Sequence, residues 1–144
     1  MEKAQYIAEG HPDVKAAERM AKLFDELLKE NPESTQSQAG RHSLNIFFTR
    51  LLFCFFAEDT GIFSDGQFTQ AVASLTQPDG SDLQEFLTDV FIALDTQNAQ
   101  EKLTHLSGFP YVNGHLFTVK PDQVVPRFNK KARDYLLESG KLLW

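Results

Sequence analysis

Apolar residues recur at helical spacing along the first part of the chain. Between Pro12 and Glu30 they stand three or four positions apart, with lysines and acids between them. Pro12 suits the first turn of a helix, and Asn31-Pro32 ends one because proline has no amide proton to donate. The pattern predicts an amphipathic surface helix over residues 12–30. Its buried stripe is predicted to be Ala17, Met20, Ala21, Phe24, Leu27 and Leu28.

A more apolar helix is predicted from about His42 to Asp59, after a polar loop over residues 33–40. A helix that is apolar around most of its circumference belongs at the centre of a fold. Thr60-Gly61 ends it, since glycine adopts the left-handed conformation at low cost. Its broad stripe is predicted to be Leu44, Phe47, Phe48, Leu51, Leu52, Phe55 and Phe56.

Three shorter helices are predicted further along the chain. One covers residues 67–75, the next follows a capping box formed by Ser81 and Gln84, and the last covers residues 129–139 and ends at Gly140. Between the last two, Asn113-Gly114 is a strong signal for a two-residue hairpin turn. The predicted fold class is mainly α: an irregular bundle of about five helices with one small β-hairpin or β-like turn near residues 109–117.

Composition adds that the 144 residues suit a single globular domain. The net charge of −6 is the wrong sign for a domain whose main task is to bind phosphates. The single cysteine, Cys54, excludes a disulfide framework within the chain. The lone cysteine leads us to expect a cytoplasmic location. No apolar run reaches the roughly 20 residues that a membrane-spanning helix needs, so we expect no membrane partner.

The sequence offers no catalytic constellation. It lacks a glycine-rich cofactor loop and a phosphate-binding loop, and its four histidines have no metal-ligand spacing. Asp13-Val14-Lys15 is only half of a nuclease motif, and Cys54 lies between phenylalanines in the middle of a helix, where a thiol is unreactive. We therefore predict no catalytic residue and no metal ligand in this chain.

Glu58 and Asp59 need an explanation, because carboxylates in the last turn of a helix meet the negative end of its dipole at a cost of about 0.3–1 kcal/mol each. Three explanations remain open: hydrogen bonds to neighbouring backbone amides, an ion pair with an arginine, or a catalytic pair of carboxylates. We expect the first, with the segment from Tyr111 to Phe117 as the neighbour.

The clearest cluster of cations is the run from Asn129 to Arg133. Lys130, Lys131 and Arg133 are therefore the candidates for contacts with a DNA backbone. The alternative is an ordinary solvated helix surface.

Two motifs in this order carry a family resemblance: RLLFCFFAEDTGIF at residues 50–63 and YVNGHLF at residues 111–117. Together they resemble the helical spacer of MmeI-like fused restriction-modification enzymes and related large adenine-specific DNA methyltransferases. His115 stands where a second glycine is expected in that family. The motif residues that we assign a structural role are Arg50, Glu58, Asp59, Gly61, Tyr111, Asn113 and Gly114.

The resemblance implies that residues 1–144 are one non-catalytic domain of a longer chain, with a nuclease upstream and a methyltransferase downstream. That parent would use S-adenosylmethionine and act on double-stranded DNA, whereas this segment would hold no cofactor. The apolar ending Leu142-Leu143-Trp144 also leads us to expect a domain cut from a longer polypeptide. The alternative is a free-standing helical protein-interaction domain without a DNA-modifying role.

Overall fold

The computed structural model describes residues 12–118, 120 and 123–141. Short 3-10 helices at Pro32–Thr35, Ala99–Glu101 and Thr104–Leu106 connect the longer elements. The mainly helical fold and the number of helices predicted are confirmed. Among the described residues five α-helices form: α1 (Pro12–Glu30), α2 (Gln38–Thr60), α3 (Gln67–Leu75), α4 (Leu83–Leu94) and α5 (Lys130–Gly140).

Helix α2 begins earlier than the sequence pattern predicts. The Ser37 side chain accepts a hydrogen bond from the Gly40 amide at 2.9 Å, which caps the helix before His42 is reached. Residues 33–40 are therefore a 3-10 turn followed by the start of α2, and not the predicted loop. None of the helices in the described part of the chain is long and apolar enough to cross a membrane.

The predicted capping box at the start of α4 is wrong. Ser81 uses its amide to donate to Asp79 Oδ1 at 3.0 Å, and Asp82 Oδ1 accepts from the Gln77 amide at 2.9 Å. Two aspartates thus build the turn before α4, because their short side chains bond readily to nearby amides. The residue flanking the helix is Asp82, whose side chain makes no capping bond.

The predicted stripe of α1 is correct at Met20 and Leu27, which are buried, and wrong at its two alanines. Ala16 and Leu23 are fully buried, whereas Ala17 and Ala21 are exposed. The predicted stripe of α2 is correct in part, because Phe48 is only half-buried, and Leu52 and Phe56 are exposed. The buried members of that stripe are Leu44, Phe47, Leu51 and Phe55, and Cys54 and Ala57 are buried beside them.

Phenylalanine rings join α2 to the rest of the core. Phe47 lies 6.1 Å from the Phe91 ring of α4 and 5.9 Å from that of Phe128, measured between ring centroids. Phe53 lies 5.6 Å from Phe117 in an edge-on arrangement. Tilted and edge-on pairs of this kind stabilise a core beyond the area they bury. Helix α2 is therefore central, as its composition predicts.

The predicted β-hairpin does not form, and residues 109–117 contain no strand. The β-like turn that was its alternative is present: Gly114 has a φ of +107°, and the Thr118 amide donates to the His115 carbonyl at 3.4 Å. His115 does not need the left-handed conformation, since every described residue with positive φ is a glycine. The strand partners are missing because helices supply the hydrogen-bonding groups for this segment instead.

Candidate functional site

Arg50 joins the two motif segments. Its side chain is buried, and Nε donates to the Leu116 carbonyl at 2.7 Å while Nη2 donates to the Thr118 carbonyl at 3.1 Å. Nη2 also donates to Gln123 Oε1 at 3.2 Å. The guanidinium fork thus binds carbonyls that a β-hairpin would have paired with a second strand. On the other side of the turn, the Val112 amide donates to the Leu94 carbonyl at the end of α4, at 2.8 Å.

The guanidinium of Arg50 lies between two aromatic rings. Its central carbon is 5.8 Å from the Phe91 centroid and 5.9 Å from that of Phe117. Burial lowers the pKa of Arg50, and the negative charge of Asp95 opposes that shift. The group stays charged because an arginine keeps its proton even when buried. A lysine has neither the planar fork nor the stacking surface to replace it.

Glu58 caps the next helix. Its Oε2 accepts from the Thr69 amide at 2.7 Å, and its Oε1 bonds to the Thr69 hydroxyl at 2.9 Å. Thr69 lies in the first turn of α3, where a carboxylate meets the positive end of the helix dipole. Burial raises the pKa of Glu58, and the bonds from Thr69 partly oppose this shift.

Of the three explanations for the acids, the geometry of Glu58 is that of hydrogen bonding to a neighbouring backbone amide. The expected neighbour was wrong, because Glu58 binds the start of α3 and the 111–117 segment is held by Arg50. Asp59, the next residue, is exposed to solvent.

Arg133 holds the opposite end of α3. It is buried, with Nε donating to Thr76 Oγ1 at 3.1 Å and Nη2 donating to the Ala73 carbonyl at 3.2 Å. A cation at this position complements the negative end of the α3 dipole. The prediction that Arg133 contacts DNA is therefore corrected, because its guanidinium is buried and donates hydrogen bonds to the end of α3.

The close approach of α5 to α3 depends on Gly140. A Cβ atom at this position would overlap the Thr69 hydroxyl and lie 2.9 Å from its methyl group. Thr69 is the residue that Glu58 binds, so Gly140 and Glu58 act on the same side chain. The sequence pattern missed Thr69 and Thr76, and it gave Gly140 only as the end of a helix, because nothing local in the sequence indicates their partners.

The two lysines at the start of α5 are exposed, as a DNA contact requires. Lys130 Nζ forms an ion pair with Asp134 Oδ2 at 3.1 Å. Asn129, which caps α5, donates to Glu26 Oε2 at 3.0 Å and to Glu30 Oε1 at 2.9 Å. These carboxylates of α1 make the start of α5 less attractive to a phosphate than its lysines suggest.

Metal ligands do not cluster in the part of the chain that the structure describes, which contains no group of three or more His, Cys, Asp or Glu side chains placed to hold a metal ion. Cys54 is buried, and burial raises its pKa well above the ordinary value. A cleft of about 470 Å³ lies beside Arg50, lined by side chains of α4 and by Phe117, Lys120 and Val124, and no described His, Cys or Ser lines it.

Comparisons with known proteins place both motifs inside one family match. The family model described as "MmeI, helicase spacer domain" matches residues 42–117. DNA methyltransferase A of Bacillus subtilis (strain 168) is 43% identical over 143 residues, which are 99% of this chain and 16% of that relative.

The structure of the type IIL restriction-modification enzyme MmeI in complex with DNA is also similar. It matches with a TM-score of 0.73 and 38% identity, over 91% of this chain and 17% of that chain. The chain thus spans about one sixth of the length of these relatives.

Proposed function

Because the chain belongs to the MmeI helicase spacer domain family, we propose that it is the non-catalytic helical connector of a site-specific DNA methyltransferase of restriction-modification type. In this proposal residues 1–144 form one domain, with a nuclease domain before it and a methyltransferase domain after it. The parent enzyme transfers a methyl group from S-adenosylmethionine to N6 of adenine in double-stranded DNA.

The observation that carries this proposal is the 43% identity across 99% of the chain to a segment of a DNA methyltransferase. The geometry agrees with a connecting role, because the buried charged side chains form hydrogen bonds with backbone groups of the same chain. Arg50 binds two carbonyls of the 111–118 segment, and Glu58 and Arg133 bind the two ends of α3. Charged side chains that are buried and hydrogen-bonded in this way have a structural role, since each holds a neighbouring segment in place.

A connector must hold its neighbours at a fixed distance, and α2 provides the rigid axis. Three of its side chains hold different parts of the chain: Ser43 exchanges hydrogen bonds with both the amide and the carbonyl of Val124, Arg50 holds the 116–118 turn, and Glu58 holds α3. The irregular segments are thereby tied to one central helix. These ties to one helix support a role in positioning the nuclease and methyltransferase domains on DNA.

In this proposal S-adenosylmethionine binds the methyltransferase domain of the longer polypeptide and not this segment. A site for S-adenosylmethionine in this type of enzyme needs a glycine-rich turn after a strand, and the described ranges contain no strand. We therefore assign no step of methyl transfer to this chain. For contact with the DNA backbone we propose Lys131, assisted by Lys130, because both are exposed.

The test uses the 144-residue protein and the full polypeptide that its gene encodes. With labelled S-adenosylmethionine and duplex DNA, we expect label at adenine N6 only with the longer polypeptide. Arg50→Ala in that polypeptide is expected to lower methylation by at least about tenfold, because the 116–118 turn loses its anchor. Arg41→Ala, at an exposed position on the same helix, is the matched control. Label transfer by the 144-residue protein alone would refute the connector role.

A further inference from the structure

Asn113 and Gly114 form an exposed tip between two anchored parts of the chain. Before the tip, the Val112 amide donates to the end of α4 at 2.8 Å, and after it the Leu116 carbonyl accepts from Arg50 at 2.7 Å. A Cβ atom placed on Gly114 would meet nothing within 4 Å apart from the adjoining residues. The pair is therefore open to water, while the backbone on either side of it is held.

The Asn113 side chain is folded against the peptide bond that follows it. The Gly114 amide donates to Asn113 Oδ1 at 2.9 Å. The atoms of this hydrogen-bonded loop include every atom of a succinimide, the cyclic imide that forms when a backbone nitrogen attacks the preceding side-chain amide. Holding the Gly114 nitrogen close to Asn113 Cγ in this way favours an intramolecular reaction between them. Glycine also has no Cβ to shield the nitrogen, and it accepts the φ of +107° found here.

The other four asparagines of the sequence are kept from this reaction. Asn31 is buried and precedes Pro32, whose nitrogen carries no hydrogen. Asn98 and Asn129 use their side-chain oxygens to accept from amides two and three residues further on, at 2.9 Å and 2.8 Å. Asn45 lies within α2, where the next amide is part of the helical hydrogen bonding. The geometry therefore favours Asn113 over the other asparagines of the chain.

We propose that Asn113 is a site of self-modification, at which the chain converts this asparagine into aspartate and isoaspartate. The Gly114 nitrogen gives its proton to a solvent base and forms a bond to Asn113 Cγ. The bond between Cγ and Nδ2 breaks, and ammonia leaves with a proton from water. A water molecule then opens the ring. Cleavage of the new bond gives aspartate, and cleavage of the original peptide bond gives isoaspartate.

The two products differ in their effect on the anchors. Aspartate keeps the length of the backbone, whereas isoaspartate routes the backbone through the side chain and adds a carbon atom between Val112 and Leu116. Because both of these residues are held by hydrogen bonds, the longer backbone is expected to loosen at least one of them. The modification is thus a slow, one-way change in the segment that Arg50 holds. The inference concerns the chain itself and does not depend on the connector role.

Peptide mass spectrometry of the aged 144-residue protein tests the site. The protein is kept at neutral pH, either folded or in urea, and both products are quantified at every asparagine. We expect both at Asn113, formed at least about tenfold faster than at any other asparagine of the folded protein. The rate in the folded protein is expected to lie within about fivefold of the rate in urea, because the tip is already open. A lower folded rate, or faster modification at another asparagine, overturns the proposal.

The cyclic route is tested by its products and by its nucleophile. Isoaspartate forms only through the ring, so aspartate without isoaspartate overturns the proposal. Gly114→Ala is expected to slow the reaction at least about tenfold, because the methyl group stands beside the attacking nitrogen. Gly108→Ala, whose added methyl group has Gln67 Nε2 as its nearest atom at 3.5 Å, is the control and should leave the rate unchanged. Since alanine is strained at the φ of Gly114, both variants are also measured in urea, where an unchanged rate for Gly114→Ala overturns the proposal.

Hydrogen exchange of the Val112 amide tests the effect on the anchors. The isoaspartate form is separated from the aged protein by chromatography and compared with Asn113→Asp, which has the same charge and an unchanged backbone length. We expect exchange at Val112 to be at least about threefold faster in the isoaspartate form. Equal exchange in the two forms overturns the proposed loosening of the segment.

Discussion

Glu58 and Arg133 bind opposite ends of the same short helix, α3. The carboxylate of Glu58 accepts from the Thr69 amide at the start of the helix, and the guanidinium of Arg133 donates to the Ala73 carbonyl near its end. Each charge therefore meets the end of the α3 dipole that favours it. Because both side chains are buried, removing either leaves polar groups without a partner at a cost of about 1–3 kcal/mol each.

The protonation of Glu58 makes the stability of the protein depend on pH. Burial raises the pKa of Glu58 above 4.5, so the folded state holds this proton more tightly than the unfolded state. The stabilisation from Glu58 is then fully present below the unfolded pKa, and it is lost as pH rises through the folded pKa. Glu58→Gln keeps an oxygen for the Thr69 amide but removes this titration.

We therefore expect the free energy of unfolding of the natural protein, relative to Glu58→Gln, to fall as pH rises from about 4 to about 8. Urea unfolding of both proteins across this range measures the difference. Glu58→Ala, which also removes the capping bonds, is expected to cost about 2 kcal/mol near pH 4 and less as pH rises, because alanine does not titrate either. A difference between the natural protein and Glu58→Gln that does not change with pH would show that Glu58 keeps its ordinary pKa.

Arg133 and Lys131 lie two positions apart, but the structure gives them different roles. Arg133→Ala is expected to lower the free energy of unfolding by about 2–4 kcal/mol, because the end of α3 loses a buried cation and its hydrogen bonds. Lys131→Ala, at an exposed position, is expected to change it by less than about 0.5 kcal/mol. Thermal unfolding of the two variants measures this contrast. Equal effects would mean that Arg133 does not hold α3 in solution.

At the scale of the elements, α3 is held between α2 and α5 by small and polar side chains. Glu58 of α2 binds Thr69 on one side, and Gly140 of α5 leaves space for the same Thr69 on the other. The two contacts share one side chain and are therefore coupled. A substitution at Gly140 on α5 is therefore expected to alter the hydrogen bonds of Glu58 on α2, although the two residues are coupled only through Thr69.

Gly140→Ala tests this coupling. The added methyl group overlaps Thr69, so α5 or the Thr69 side chain must shift, at a cost of about 1–3 kcal/mol. Gly108→Ala is the matched control, because the nearest atom to its added methyl group is Gln67 Nε2 at 3.5 Å. In a Glu58→Ala background the cost of Gly140→Ala is expected to be smaller, since Thr69 is then free to move. A cost that is the same in both backgrounds would show that the two contacts are independent.

Local signals predicted the elements, and long-range contacts decided the rest. The bounds of α1 and α3 agree with the sequence pattern, because prolines and polar breaks near their ends act on the adjacent backbone. The hairpin signal at Asn113-Gly114 failed because the neighbouring carbonyls bind Arg50, which lies 66 positions before Leu116. The partner of Glu58 was missed for the same reason. The sequence shows that Glu58 requires a hydrogen-bond donor, but the packing of the helices determines that this donor is Thr69.

At the scale of the whole molecule, acidic and basic side chains are unevenly distributed along the chain. Residues 51–101 carry nine acids and no lysine or arginine, so all 14 lysines and arginines lie before or after this stretch. A DNA backbone is therefore repelled by the stretch that forms α3 and α4. If the proposed connector meets DNA, we expect Lys130 and Lys131 of α5 to face it. The carboxylates Glu26 and Glu30 beside Asn129 limit how strongly they bind.

Binding of the full polypeptide to duplex DNA at several salt concentrations tests this orientation. Each lysine that neutralises a phosphate contributes close to one unit to the slope of log affinity against log salt concentration. We expect Lys131→Ala to reduce that slope by about 1 and Lys130→Ala by less, because Lys130 already pairs with Asp134 at 3.1 Å. Lys141→Ala, just after the other end of α5, is the control and should leave the slope unchanged. If all three variants keep the natural slope, the start of α5 faces solvent, and the connector acts on DNA only through the domains it joins.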